Sequence, residues 1–303
     1  MKRRRFLIAS AEAIAAGAVW SWLEPGPAGA ADPPAPLLAV AHGPSPAAIT
    51  RASVEALGGM GRFVSRGARV VVKPNIGWDR TEEQAANTNP EVVAELVRLA
   101  LGAGARSVLV MDNPCNDPRR CYERSGIAAA VRAAGGTIDA FEEGRTRTMK
   151  LGGERLTEWK VHPAIVEADV RINVPIAKHH GLGRLTLGMK NWMGSVGGNR
   201  GLMHRDLDTS IVDLAAFFRP QLTVVDGVRI LLRGGPQGSS LADVRRIDTV
   251  VASADPVAAE ARGVALHEQA ASDYPHIARA AARGLGRSTW SPEEERRIEI
   301  AQG

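Results

Sequence analysis

The chain has 303 residues, 45% hydrophobic and 23% charged, which excludes wholesale disorder and suits one large α/β domain or two lobes. Its formal charge of +5 falls to +3 without the first 30 residues, which carry four basic and two acidic groups; with no basic stripe in the rest, nucleic acid is excluded as a partner. Two cysteines exclude a self-contained four-cysteine iron–sulfur cluster or zinc site. Arg outnumbers Lys 32 to 6, so each remaining lysine invites scrutiny.

Residues 1–30 read as a signal peptide. Lys2-Arg3-Arg4-Arg5 is a basic start, an Ala-rich apolar stretch follows, and Ala28-Gly29-Ala30 offers a cleavage site. Arg3-Arg4-Arg5-Phe6-Leu7 fits the twin-arginine pattern, which makes the twin-arginine export machinery an expected partner and a periplasmic or secreted location the expected destination. An uncleaved anchor is the alternative. Residues 31–36 form a Pro-rich linker, and 37–303 are expected to form one α/β domain.

Apolar runs then alternate with helical stretches. Strands are expected at Leu37–Ala41, Arg69–Lys73, Ser107–Met111, Thr137–Phe141, Val170–Val174, Leu222–Val225 and Thr249–Ala252. Helices are expected from Pro46 to Leu57, from Asn89-Pro90 to Leu101, over Glu123–Ala134 and Thr209–Phe218, and from Asp255-Pro256 to about Leu266. This alternation predicts a largely parallel sheet with helices on both faces. Ligands in such sheets sit beyond the carboxyl ends of the strands. Lys73-Pro74-Asn75, Asp112-Asn113, Lys178-His179-His180 and Asp226 follow those ends and are expected to converge.

Asn173–His204 concentrates the chemistry, with His179, His180, His204, Lys178 and Lys190 inside 27 residues and Gly194, Gly197, Gly198 and Gly201 between them. Glycines let backbone N–H groups approach a ligand closely. Three readings compete: a metal site on imidazoles and carboxylates, an anion site built from glycine N–H groups with Lys190, Arg200 and Arg205, or a plain surface loop with solvated charges. No P-loop or dinucleotide fingerprint is present. His180 is a candidate acid–base group, and its neighbour His179 is expected to face the opposite way. Asp226 is a candidate metal ligand or histidine partner, although an Asp-Gly turn explains it equally well. Cys115 and Cys121 are placed to close a small disulfide loop, with two free buried thiols as the alternative.

Taken together, Val72-Lys73-Pro74-Asn75, Asn173-Val174-Pro175 with Lys178 and His180, Gly188-Met189-Lys190-Asn191, His204, Thr223-Val224-Val225-Asp226-Gly227, Gly235-Pro236 and Asp255-Pro256-Val257-Ala258 resemble the Domain of Unknown Function 362 family, in order over most of residues 37–285. The resemblance implies twin-arginine export and, since some members are fused to ferredoxin-like modules, an iron–sulfur or other redox partner protein. A more local similarity joins His180, Lys190 and His204 to lactate racemase, in which a lysine bears a nickel-pincer nucleotide and a histidine ligates the nickel.

The reading that follows is a metal- or cofactor-dependent enzyme acting on a small anionic molecule. His180 and Lys190 are its catalytic candidates. Lys73, Asn75, Lys178, Lys190, Asn191, Gly194, Gly197 and Gly198 are its cofactor-binding candidates, and His204 and Asp226 its metal ligands. A non-catalytic extracytoplasmic binding or accessory protein, or a redox partner of an iron–sulfur protein, is the alternative.

Overall fold

A computed structural model describes residues 35–301; the signal-peptide reading of residues 1–30 lies outside them. Ala35–Gly303 clusters as one unit rather than two lobes. The strands are β1 (Leu38–His42), β2 (Arg69–Pro74), β3 (Ser107–Val110), β4 (Thr137–Ile138), β5 (Arg147–Lys150), β6 (Glu158–Val161), β7 (Val170–Val174), β8 (Ile176–His180), β9 (Arg184–Thr186), β10 (Leu222–Leu231), β11 (Val244–Ser253) and β12 (Glu295–Glu299). The helices are α1 (Pro46–Ala56), α2 (Pro90–Gly102), α3 (Pro118–Arg124), α4 (Ile127–Ala133), α5 (Pro163–Val166), α6 (Gly188–Asn191), α7 (Leu207–Phe218), α8 (Pro256–Ala265) and α9 (Pro275–Ala282).

The main sheet runs β12-β1-β11-β10-β7-β2-β3-β4, with β8 added to β10 and β9 to β8. Only β11 and β9 run against the rest, so the sheet is largely parallel. Side chains alternate across it. Val70, Val72 and Val224 pack with α1, α2, α3 and α4, whereas Val71 and Val225 pack with α7, α8 and α9. Helices therefore cover both faces, and the strands are apolar on both sides for that reason.

Local chemistry sets the element ends. Asn89 caps α2, its side chain accepting from the N–H groups of Glu91 and Val92, and Pro90 occupies the first turn. The expected helix Glu123–Ala134 is instead two helices, because Gly126 between them adopts φ +75°, a left-handed conformation that stops one helix and starts the next. The strand expected over Thr137–Phe141 is only two residues long.

The largest departure is at Asp226. The strand expected to close there runs on to Leu231 through a bulge between Gly227 and Arg229. Pro175, which interrupts β7 and β8, offers its carbonyl to Asp226 N at 2.8 Å. Beyond that point β10 leaves β7 and pairs with β8. This offset carries β8 past the carboxyl edge of the sheet, with Lys178 and His180 on one side of it. Among the described residues no helix is long and apolar enough to cross a membrane.

Candidate anion site at the carboxyl edge of the sheet

Lys73 is the last side chain of β2 before Pro74 and is 1% exposed. A bare ammonium there is costly, and three oxygens answer it. Its Nζ lies 2.6 Å from Asp112 Oδ1 and donates to Pro74 O at 2.9 Å and Asn191 Oδ1 at 3.0 Å. Asp112, just past β3, also accepts from Ile76 N at 2.6 Å, and its backbone is clamped by the Tyr122 hydroxyl. Asn191 accepts from Asn75 Nδ2 at 3.2 Å and donates to Lys73 O and Asn173 Oδ1. Side-chain amides thus tie β2, β7 and α6 into one rigid floor.

Lys178 rises from β8 and donates to Asn75 Oδ1 at 3.0 Å and to the Ala86 carbonyl. Two residues on, His180 faces the same side. Its Nδ1 accepts from Leu182 N at 3.1 Å and Gly183 N at 3.0 Å, so the neutral ring carries its proton on Nε2. His179 lies on the other side, its Nδ1 accepting from Gly235 N at 3.2 Å.

Lys73, Asn75, Asp112, Lys178, His180 and Asn191 line one cavity of about 630 Å³, together with Lys190 from α6, Thr186 from β9, Arg200 and His204 from the following 3-10 segment, and Cys115. The rings of His180 and His204 stack at 5.8 Å. Asp112 is the one carboxylate among the lining residues, and it is committed to Lys73. Arg200 donates to the carbonyls of Asn113 and Pro114. Among the described residues, the Lys190 amine has neither an acidic partner nor a hydrogen bond, although the residue is only 9% exposed.

Titration behaviour follows from burial first and from this imbalance second. Burial, with the neighbouring charge of Lys190 adding to it, pulls Lys178 down to about 7. Burial and the charges of Arg200 and Lys73 pull Lys190 down to about 8. Burial, then Lys190, drives His180 to about 3, so its ring stays neutral and acts as an Nε2–H donor. His204 is also lowered, by burial and by Lys190, while the nearby carbonyls of Gly201 and Arg200 work the other way.

The glycines serve close packing. A Cβ on Gly194 would fall 1.8 Å from Asp112 Oδ1 and 2.6 Å from Lys73 Nζ. Gly197 lies off the cavity, its N–H bonded to Lys160 O and its carbonyl to Trp159 Nε1. Gly198 lines the cavity, but its N–H goes to the Glu143 carboxylate. The loop N–H groups at 197 and 198 are therefore spent within the protein, and the positive character of the cavity comes from side chains.

Of the metal-ligand candidates, only His204 reaches the cavity. Asp226 is sealed beneath it, accepting from Asn89 N at 2.7 Å and Val228 N at 2.9 Å, and burial raises it to about 7. Among the described residues no three His, Cys, Asp or Glu side chains converge as a metal site. His180 Nδ1 and Asp112 are already engaged, so the donor set does not fit a simple divalent ion. A lysine-borne cofactor finds a fit in the unpartnered Lys190 amine and the adjacent His204. The expected disulfide is not formed: Cys115 is exposed at the cavity and Cys121 is buried on the core-facing side of α3. Sequence reasoning passed over Thr186, whose buried hydroxyl lacks a partner among the described residues, and gave Asp112 no role as a counter-ion.

A family model described as a domain of unknown function (DUF362) matches residues 70–265. The chain belongs to the DUF362 family. All of the cavity's lysines and both stacked histidines lie inside the DUF362 match. A thylakoid-associated protein of Synechocystis sp. is 29% identical over 216 residues, 69% of this chain and 65% of that protein; the match thus spans just under two thirds of the relative's length. The lactate racemase apoprotein from Thermoanaerobacterium thermosaccharolyticum superposes with a TM-score of 0.40 and 9% identity, over 74% of this DUF362 chain and 55% of that one. A likeness at that level carries no argument about chemistry.

Proposed function

We propose that the protein is an extracytoplasmic enzyme that binds a small organic anion in this cavity and acts on it. The observation that carries the reading is the excess of cation: buried Lys73, Lys178 and Lys190 with half-buried Arg200, against the single carboxylate of Asp112. Fixed positive charge in excess of the acidic side chains around it favours an anionic ligand. Lys178, Lys190 and Arg200 hold the anion, His180 donates its Nε2–H to the ligand, and His204, which burial and Lys190 push below the ordinary imidazole range, stacks on His180. A cofactor borne on a lysine would sit on Lys190 with His204 facing it, and would supply the electron-accepting chemistry that side chains lack.

The twin-arginine pattern in Arg3-Arg4-Arg5-Phe6-Leu7 and the thylakoid association of the Synechocystis protein support the extracytoplasmic part. A non-catalytic anion-binding protein is the second reading, favoured by the absence of a converging metal-ligand set among the described residues. The test is a thermal-shift panel of carboxylates and phosphate on protein purified after native export, with turnover assays, intact mass and elemental analysis alongside. Anion stabilisation lost in Lys190→Ala, with turnover, meets the proposal. Stabilisation without turnover leaves the binding protein, and no stabilisation contradicts both readings.

A further inference from the structure

We propose that Lys190, in the protein free of any lysine-borne cofactor, is a covalent amine nucleophile and that the ligand of the cavity is a 2-oxo acid, held by its carboxylate and captured at its carbonyl as an imine. The inference rests on the anion-site reading above and names the class of molecule that site takes.

Three lysines line the cavity, and two are spent. Lys73 is pinned by Asp112, Pro74 O and Asn191, and Lys178 by Asn75 and the Ala86 carbonyl. Lys190 alone of the three lines the cavity with an unpartnered amine, at 9% exposure. A buried lysine left without hydrogen bonds or a carboxylate is shifted toward the form that has a lone pair to give. An arginine at that position would stay charged and could not attack a carbon. In a chain with 32 arginines and 6 lysines, three of the lysines sit in this one cavity.

The surroundings supply what imine formation needs. Lys178 and Arg200 offer positive charge for the carboxylate. The Nε2–H of His180 is a donor for the carbonyl oxygen. The Lys190 lone pair adds to the carbonyl carbon, forming a C–N bond as the C=O π pair moves to oxygen. Nitrogen gives up a proton and oxygen takes one, leaving a carbinolamine. The C–O bond then breaks, hydroxide leaves with a proton as water, and the nitrogen pair closes the C=N bond. The balance is amine plus ketone giving imine plus water, with no oxidant or reductant. The amine's position near 8, set by burial and by Arg200 and Lys73, leaves roughly a tenth of it neutral at pH 7. That neutral fraction is on the order of a hundred times that of a solvated lysine amine.

The experiment is reductive trapping on the exported protein. Pyruvate, 2-oxobutyrate and 2-oxoglutarate are each added with cyanoborohydride, and the adduct is located by intact mass and peptide mapping. Lactate and 2-hydroxyglutarate serve as carbonyl-free controls, and thermal shift is read on every sample. The proposal expects an adduct on Lys190 with a 2-oxo acid, none with the hydroxy acids, and none in Lys190→Arg, which keeps the charge. Stabilisation by oxo and hydroxy acids alike, without an adduct on Lys190, overturns the imine and leaves the anion site standing. Labelling confined to the surface residues Lys150 and Lys160 also overturns it. Neither stabilisation nor adduct overturns both this inference and the reading beneath it.

Discussion

Lys73 Nζ and Asp112 Oδ1 lie 2.6 Å apart with side-chain exposures of 1% and 3%, the one balanced ion pair in a cavity otherwise lined by unbalanced cations. Removing one partner of such a pair strands a buried charge. Asp112→Asn is therefore expected to cost about 3–5 kcal/mol, read as a lower denaturant midpoint with an unchanged slope. Lys73→Met in the same chain should restore part of the loss. If Asp112→Asn alone leaves stability unchanged, the pair does not hold this floor.

Gly194 presses on the same pair. Its substitution by alanine places a methyl 1.8 Å from Asp112 Oδ1, so either the pair or the loop must shift. The expected loss is about 1–3 kcal/mol, with anion stabilisation reduced as well. Gly61→Ala, where nothing lies within 4 Å of the new Cβ, is the control and should be nearly silent.

On the far side of α6, His276 bridges Glu260 at 3.0 Å and Asp208 at 3.3 Å, and the other Glu260 oxygen accepts from Met189 N at 2.8 Å. The two carboxylates raise the His276 imidazole above its ordinary value against the opposing effect of burial. A raised folded-state value gives stability that is complete below about 6.5 and lost as pH rises through the folded value. The melting temperature of the wild type should fall over that rise. His276→Leu should remove this component of the pH dependence, and an unaltered profile in the variant would refute it.

Replacing Arg3 and Arg4 together by lysine should retain the full-length chain in the cytoplasm if the export reading is right. Fractionation with N-terminal sequencing reads the outcome. Continued export of the variant, with the same processing, would contradict the twin-arginine assignment.

Much of the fold was legible because backbone chemistry is local. Asn89-Pro90 announced α2, and the β-branched run before Pro74 announced β2. The carboxyl-edge rule placed Lys73, Asn75, Lys178 and His180 together before any coordinates, since strand direction alone decides which residues share an edge. What stayed hidden depends on distant contacts. The Asp-Gly pair at 226–227 looks like a turn, yet the Asp226 carboxylate is consumed by Asn89 and Val228 N–H groups and the strand continues. Likewise, Gly197 and Gly198 look like a ligand cradle, but Lys160 and Glu143, from 37 and 55 residues upstream respectively, take their N–H groups. The histidine tautomer at 180 depends on loop amides whose direction no spacing reveals.

The central claim is that the cavity is a cationic site that takes an anion, and calorimetric titration with lactate, which has no carbonyl for Lys190 to capture, in two buffers of different ionisation enthalpy tests it most directly. Lys178 near 7 and Lys190 near 8 are partly neutral in the free protein, and a bound anion favours their charged forms. The account predicts net proton uptake on binding at pH 7.5, an affinity that falls as pH rises through 7 and 8, and loss of both in Lys190→Ala. Binding with no proton uptake and no pH dependence, or binding unchanged in Lys190→Ala, would contradict it.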